Sequence, residues 1–159
     1  MTRKEQYNQL ILQIAGLIKD ETNLVGILAN VSAALHDTFP ERFFWVGFYL
    51  QENGNMLRLG PFQGSVACYV IPFGKGVCGK AWEEGCTLIV PDVEKFPGHI
   101  ACSSLSRSEI VVPMYDDSHT FRGVLDIDST QINDFNEDDK EGLERIIELL
   151  MAETHDLFQ

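Results

Sequence analysis

Sulfur and carboxylate carry the chemistry that this sequence can offer. Cys78 stands between glycines in Gly76-Val77-Cys78-Gly79, where a glycine turn opens a short helix. A helix N-terminus exposes unpaired N–H groups and a positive dipole end, which favour thiolate over thiol. The position predicts a thiol that ionises below its free value of about 8.5. The plain alternative is a small buried residue in a tight turn. Cys102 lies in Gly98-His99-Ile100-Ala101-Cys102-Ser103-Ser104, an irregular stretch where exposure and movement are expected. His99 is close enough in sequence to help ionise it, although a lone neighbouring histidine is more often incidental. Cys68 alternates with Val66 and Val70 and by itself reads as a core residue of a strand. Cys86, beside Gly85 in a turn, is a bystander. Structural zinc normally shows paired ligands such as Cys-x-x-Cys, and no such pair is present, so no metal is expected. A zinc site would need Cys68, Cys78, His99 and Cys102 to converge through the fold.

The acids follow a strand period. In Gly123–Asp128, Val124, Asp126 and Asp128 share one face while Leu125 and Ile127 take the other. In the preceding strand Glu109, Val111 and Pro113 share a face. Such acids can simply point at solvent. If Glu109, Asp126 and Asp128 converge on one cavity, packed carboxylates resist joint ionisation and one stays protonated near neutral pH. A protonated carboxyl is a general acid, and its ionised neighbours can hold a substrate ammonium group.

The elements that must position these groups are legible in outline. Leu10, Ile11, Ile14, Leu17 and Ile18 recur at helical spacing, and Leu24 to Leu35 continues after the Glu21-Thr22-Asn23 break. Arg42 to Leu50 is aromatic and β-branched and predicts a buried strand. Asn53-Gly54 then predicts a hairpin turn into an antiparallel partner at Met56 to Leu59. Val66 to Ile71 predicts a third strand that stops at Pro72, and Gly74 to Trp82 a glycine-rich turn opening a short helix. Further strands are expected at Thr87 to Val90, Glu109 to Met114 and Gly123 to Asp128. Between them Val93 to Arg107 forms a long irregular segment, of a length that is usually functional in a compact domain. Asn136 to Phe158 predicts a charged amphipathic helix with Leu143, Ile146, Ile147, Leu150 and Met151 on its apolar face. Strands grouped together with helices at both ends give an α+β class with a mainly antiparallel central sheet.

Composition narrows the partners. The 159 residues suit one domain spanning the chain, and 45% apolar content supports a packed core. A net charge of −12 argues against nucleic acid, which needs clustered Lys and Arg, and against anionic membrane surfaces. The polar Met1–Gln6 segment is not a secretory signal, and no apolar run reaches membrane-spanning length. A cytoplasmic location, where thiols stay reduced, is the expectation, so the cysteines are read as catalytic or packing residues rather than as a fixed disulfide framework.

Taken in order, Gly60-Pro61-Phe62-Gln63-Gly64, Ala67-Cys68, Gly74–Gly79 (GKGVCG), Pro91-Asp92-Val93, Phe96–Cys102 (FPGHIAC), Ser108–Pro113 (SEIVVP) and Gly123–Asp128 (GVLDID) resemble the signatures of free methionine-(R)-sulfoxide reductases, which are built on a single GAF domain. The likeness runs from about Phe44 to Phe135. Any one motif is weak alone; the ordered set with its three cysteines is specific. The resemblance implies a GAF-like fold with an antiparallel sheet flanked by N- and C-terminal helices. It implies that Cys102 is the catalytic nucleophile and that Cys68 and Cys78 resolve or relay its oxidised state. Glu109, Asp126 and Asp128 match pocket carboxylates, and Trp45 and Tyr49 match an aromatic wall around the substrate. Taken without the resemblance, those two aromatics read as ordinary core packing. One departure stands out: Ser103 follows HIAC where the family commonly has Asp, which implies a lower rate or affinity.

The implied reaction converts free methionine-(R)-sulfoxide to methionine. Cys102 becomes a sulfenic acid, a second cysteine closes a disulfide, and thioredoxin reopens it. No organic cofactor or metal is needed, because sulfur carries the oxidation state. Domains of this type often pair through their terminal helices, so a homodimer is the implied assembly. GAF folds host many functions. A non-catalytic small-molecule sensor is therefore the main competitor, with a redox switch or zinc-binding module as a third reading. Against a sensor, no output domain is expected after Gln159, and reactive sulfur is expected around the cavity.

Overall fold

The computed structural model describes residues 1–158. Helix α1 (Arg3–Ile18) starts at a capping box between Thr2 and Glu5, and α2 (Leu24–Thr38) starts where the Asn23 side chain accepts from the Gly26 amide. The chain then enters β1 (Trp45–Glu52), turns at Asn53-Gly54 and returns as β2 (Met56–Gln63), which pairs antiparallel with β1. The short β3 (Val70–Pro72), helix α3 (Gly76–Glu84) and short β4 (Leu88–Val90) follow. After the irregular segment come β5 (Ser108–Tyr115), β6 (Phe121–Ser129) and α4 (Glu137–Thr154).

One six-stranded sheet results, in the order β3-β2-β1-β6-β5-β4, with every neighbouring pair antiparallel. Its two faces are unlike. Val46, Phe48, Ile110, Val112, Leu125 and Ile127 point to a core closed by α1, α2 and α4. Trp45, Tyr49, Val111 and Val124 point the other way, into a second cluster with Val77 and Cys78 of α3. Strand alternation assigns each side chain to its face, so Asp126 and Asp128 follow Val124 onto the second face.

On the helical side α4 is anchored through Asp139. Its carboxylate is fully buried and accepts from Tyr7 Oη at 2.6 Å, Arg3 Nη1 at 2.8 Å and Arg42 Nη2 at 3.1 Å. It also closes a capping box with Asn136 at the start of α4. The Arg42 guanidinium lies against the rings of Phe39, Phe43 and Phe135 at 5.0–5.7 Å. One acid thus ties α1, α4 and the entry to β1.

Two sequence expectations need correction. The strand expected from Val66 pairs only from Val70, and Gly64 to Tyr69 crosses the sheet face as irregular chain. Cys68 is therefore on a loop, and Val66 and Tyr69 are 88% and 77% exposed. The C-terminal helix ends at Thr154, and His155–Leu157 form a 3₁₀ turn. The remaining elements lie where periodicity put them, within a few residues at their ends. Among the described residues no helix is long and apolar enough to cross a membrane.

Candidate active site

A cavity of about 40 Å³ opens on the second face of the sheet. Its floor comes from Asp126 and Asp128 of β6, Glu109 of β5, and Trp45 and Tyr49 of β1; α3 contributes Gly76, Val77 and Cys78. Two loops roof it. Val66 and Ala67 come from one, and His99, Ile100, Cys102, Ser103 and Ser106 from the other.

Sheet register dictates the meeting of the acids. Glu109 pairs with Asp128, Val111 with Asp126, and Trp45 with Asp128 on the other side of β6. Two acids directly opposite on antiparallel strands repel when both are ionised. Glu109 and Asp126 are only 5% and 6% exposed. Burial, with Asp128 adding repulsion, pushes Glu109 up to about 8, despite a hydrogen bond with Asp126 that pulls it down. Burial and then Glu109 push Asp126 well above the usual carboxylate range, and burial and then Asp126 do the same to Asp128. At neutral pH the cluster holds protons. One oxygen of Asp126, Oδ1, is buried without a hydrogen-bond partner, which leaves it an open acceptor in the cavity floor.

For Cys78 the plain alternative, a small buried residue in a tight turn, holds, and the expected lowering of its ionisation does not. Its thiol does sit in the first turn of α3, but it is 2% exposed. Burial, then the charges of Asp126, Glu109 and Asp128, push it up rather than down. A dipole end worth a fraction of a charge cannot offset desolvation beside three acids. Two glycines of α3 shape this corner. Gly76 adopts φ +60°, and a Cβ on Gly79 would stand 2.5 Å from the Pro72 carbonyl oxygen.

The sulfurs converge in an order that sequence left open. Cys68 and Cys102 form a disulfide across 34 residues, with Cα atoms 5.5 Å apart. Cys78 and Cys86 are free, the first buried and the second exposed. The bonded pair leaves two of the four proposed zinc ligands unavailable. A different trio gathers instead: donor atoms of Cys78, Glu109 and Asp126 lie within 4.8 Å of one another. Buried together at that spacing, the three groups form a cluster among which protons can be shared.

The aromatics hold the roof. Trp45 Nε1 donates to the Ser65 carbonyl at 3.0 Å, and Tyr49 Oη to the Cys68 carbonyl at 3.0 Å. Their rings stack at 5.8 Å, with Phe62 continuing the stack beyond Trp45 at 5.0 Å. Core packing and cavity wall, separate readings in the sequence, are one arrangement.

The expected Cys78, Cys102, Trp45, Tyr49, Glu109, Asp126 and Asp128 all line the cavity, and Cys68 is bonded to one of them. His99 is more than an incidental neighbour of Cys102: its Nε2 is 3.6 Å from Glu109 Oε1, and burial lowers its pKa toward the neutral form. Its place in the Cys102 loop was the available signal. Ser103 lines the cavity and its hydroxyl accepts from the Leu105 amide at 3.2 Å. An Asp can make the same local turn, so the serine keeps the loop's shape and removes a charge at the rim.

Residues 21–152 match the model of the GAF domain. The GAF domain-containing protein A of Dictyostelium discoideum is 56% identical over 149 residues, covering 94% of this chain and 92% of that protein. The free methionine-R-sulfoxide reductase of Saccharomyces cerevisiae is 43% identical, covering 94% and 86%. The X-ray structure of free methionine-R-sulfoxide reductase from Neisseria meningitidis in complex with its substrate superimposes with a TM-score of 0.93 at 46% identity, over 98% of this chain and 92% of that one. The chain belongs to the free methionine-R-sulfoxide reductase family. The GAF fold expected from the motifs is thus the fold of the family, and its signatures fall on both loops that roof the cavity and on the acidic floor.

Proposed function

We propose that this family member reduces free L-methionine (R)-sulfoxide to methionine with Cys102 as nucleophile. The single observation that carries the reading is Cys102 lining the same cavity as the buried carboxylates of Glu109 and Asp126 while bonded to Cys68. The Cys102 thiolate attacks the sulfoxide sulfur. The oxygen takes up a proton from the Glu109–Asp126 pair as the sulfur is reduced, methionine departs, and Cys102 is left as sulfenic acid. The Cys68 thiol then attacks that sulfur, water leaves, and the disulfide closes. The balance is one sulfoxide and two thiols giving one thioether, one disulfide and one water. Cys78, free and buried beside Asp126, supports a proton-holding role rather than a resolving one.

Selectivity for the free amino acid follows from charge. That charge is the substrate's own: its ammonium group can donate to the unpartnered oxygen of Asp126, which needs no ionised carboxylate, and Trp45 and Tyr49 can pack on the S-methyl group. Thioredoxin, at about −270 mV, is a competent reductant for the disulfide. We place the reaction in the cytoplasm, with a homodimer formed through the terminal helices and no organic cofactor.

The test is consumption of each methionine sulfoxide epimer with dithiothreitol, followed by mass detection of methionine. The R epimer should be consumed and the S epimer spared, and Cys102→Ser should abolish turnover. No consumption of either epimer would return the protein to the sensor reading. Full activity in Cys102→Ser would remove this mechanism.

A further inference from the structure

The disulfide is set in chain that carries no charged residue. Residues 59–74 and 96–106, the two stretches that carry Cys68 and Cys102, contain no Asp, Glu, Lys or Arg. At the chain's average of 23% charged residues, 27 positions would hold about six. Inside these stretches four large apolar side chains face solvent, Val66 at 88%, Tyr69 at 77%, Leu105 at 59% and Phe73 at 38% exposure, and the first three lie closest in sequence to the bonded cysteines. Val66 and Tyr69 flank Cys68, and Leu105 follows Cys102 by one turn of loop. Both bonded cysteines are half-buried, so the bond itself is within reach of an incoming sulfur. Elsewhere the surface is strongly acidic, with a net charge of −12 over the chain.

Exposed apolar side chains around a reactive bond have a cost in solubility that selection for the small-molecule reaction alone does not explain. Interface centres, by contrast, are depleted in charge and enriched in aromatic and apolar groups. We infer that Val66, Tyr69 and Leu105 form a docking collar for a protein dithiol of the thioredoxin type, whose nucleophilic cysteine enters at Cys68. This rests on the reductase reading above, and it adds the surface and the direction of attack.

The direction follows from the cavity. Cys102 lines it and Cys68 does not, so Cys68 is the outer sulfur. The partner's thiolate attacks Cys68 Sγ, the bond to Cys102 breaks, and Cys102 leaves as a thiolate already facing the cavity. The partner's second thiol then attacks the mixed disulfide and frees Cys68 as a thiol. Two electrons pass, and the partner ends as a disulfide.

The experiment compares thioredoxin with dithiothreitol on the oxidised wild type and on Tyr69→Asp and Leu105→Asp. Both positions are exposed and outside the cavity wall, so the variants should fold. Reduction of the Cys68–Cys102 bond is followed directly, without any sulfoxide, so the collar is tested even if the reductase reading fails. KM for thioredoxin should rise about tenfold in each variant, with dithiothreitol rates unchanged. Wild-type KM for thioredoxin in both variants, or an equal loss with dithiothreitol, overturns the collar. Thioredoxin lacking its second cysteine should trap an adduct on Cys68; an adduct on Cys102 overturns the direction of attack.

Discussion

Asp139 and the Glu109–Asp126–Asp128 group are buried acids on opposite sides of one sheet, and they are treated in opposite ways. Asp139 is surrounded by donors: two arginines, a tyrosine hydroxyl and a backbone amide. The cavity acids have one another, a thiol and a neutral-leaning histidine. Burial with full pairing fixes helices in place. Burial without a cation keeps protons on carboxyl groups at a pH where solvent would remove them. The same residue type is a clamp in one place and an acid in the other, and the partners decide which.

The contrast can be broken by substitution. Asp139→Ala should have the largest effect on folding, a loss of about 3 kcal/mol in urea titration, because it strands two half-buried arginine charges and the buried Tyr7 hydroxyl. A loss below about 1 kcal/mol would show that the network contributes little. Asp126→Asn should do the reverse. Turnover should fall on the order of 100-fold, while resistance to urea holds or rises, since a buried ionisable group is replaced by a neutral one. Destabilisation comparable to that of Asp139→Ala would erase the distinction.

Glu109 gives a pH signature. Between its ordinary value of about 4.3 and its folded value of about 8, the folded state keeps a proton that the unfolded chain has lost. Unfolding free energy should therefore fall as pH rises through that window, by at most about 1.4 kcal/mol per unit for this carboxyl, and level off above it. Turnover should decline over the upper limb as the acid is lost. Glu109→Gln should flatten both profiles in thermal melts and in rate measurements; an unchanged pH profile would remove Glu109 as the acid. Ser103→Asp should have the smallest effect, a change of a few-fold in rate or KM with the fold unaltered. A larger change would mean that charge at the cavity rim matters more than loop shape.

Much of this arrangement could be read along the chain because it depends on short periods. Alternation in Gly123–Asp128 placed both aspartates on the face away from Leu125 and Ile127, which is where they lie. The same rule misplaced Cys68. Val66, Cys68 and Val70 alternate like a strand, but the chain there is held by Trp45 and Tyr49 through its carbonyls, and its apolar residues face solvent. The helix turn at Cys78 is a local signal that favours thiolate, but the acids that reverse its ionisation come from strands about 30 and 50 residues away in sequence. The Asp139 clamp joins α1 to α4 across some 130 residues and leaves no local pattern to find.

The hydrogen bond from Trp45 to the Ser65 carbonyl also gives the molecule an optical readout. Of the two tryptophans, Trp45 is tethered to the segment that carries Cys68, while Trp82 stacks on Phe121 at 4.7 Å. Opening the disulfide should loosen that segment and change the surroundings of the Trp45 indole, with Trp82 as a steady background. Ultraviolet-excited emission in a stopped-flow instrument should then follow each oxidation and reduction in real time, with no dye attached.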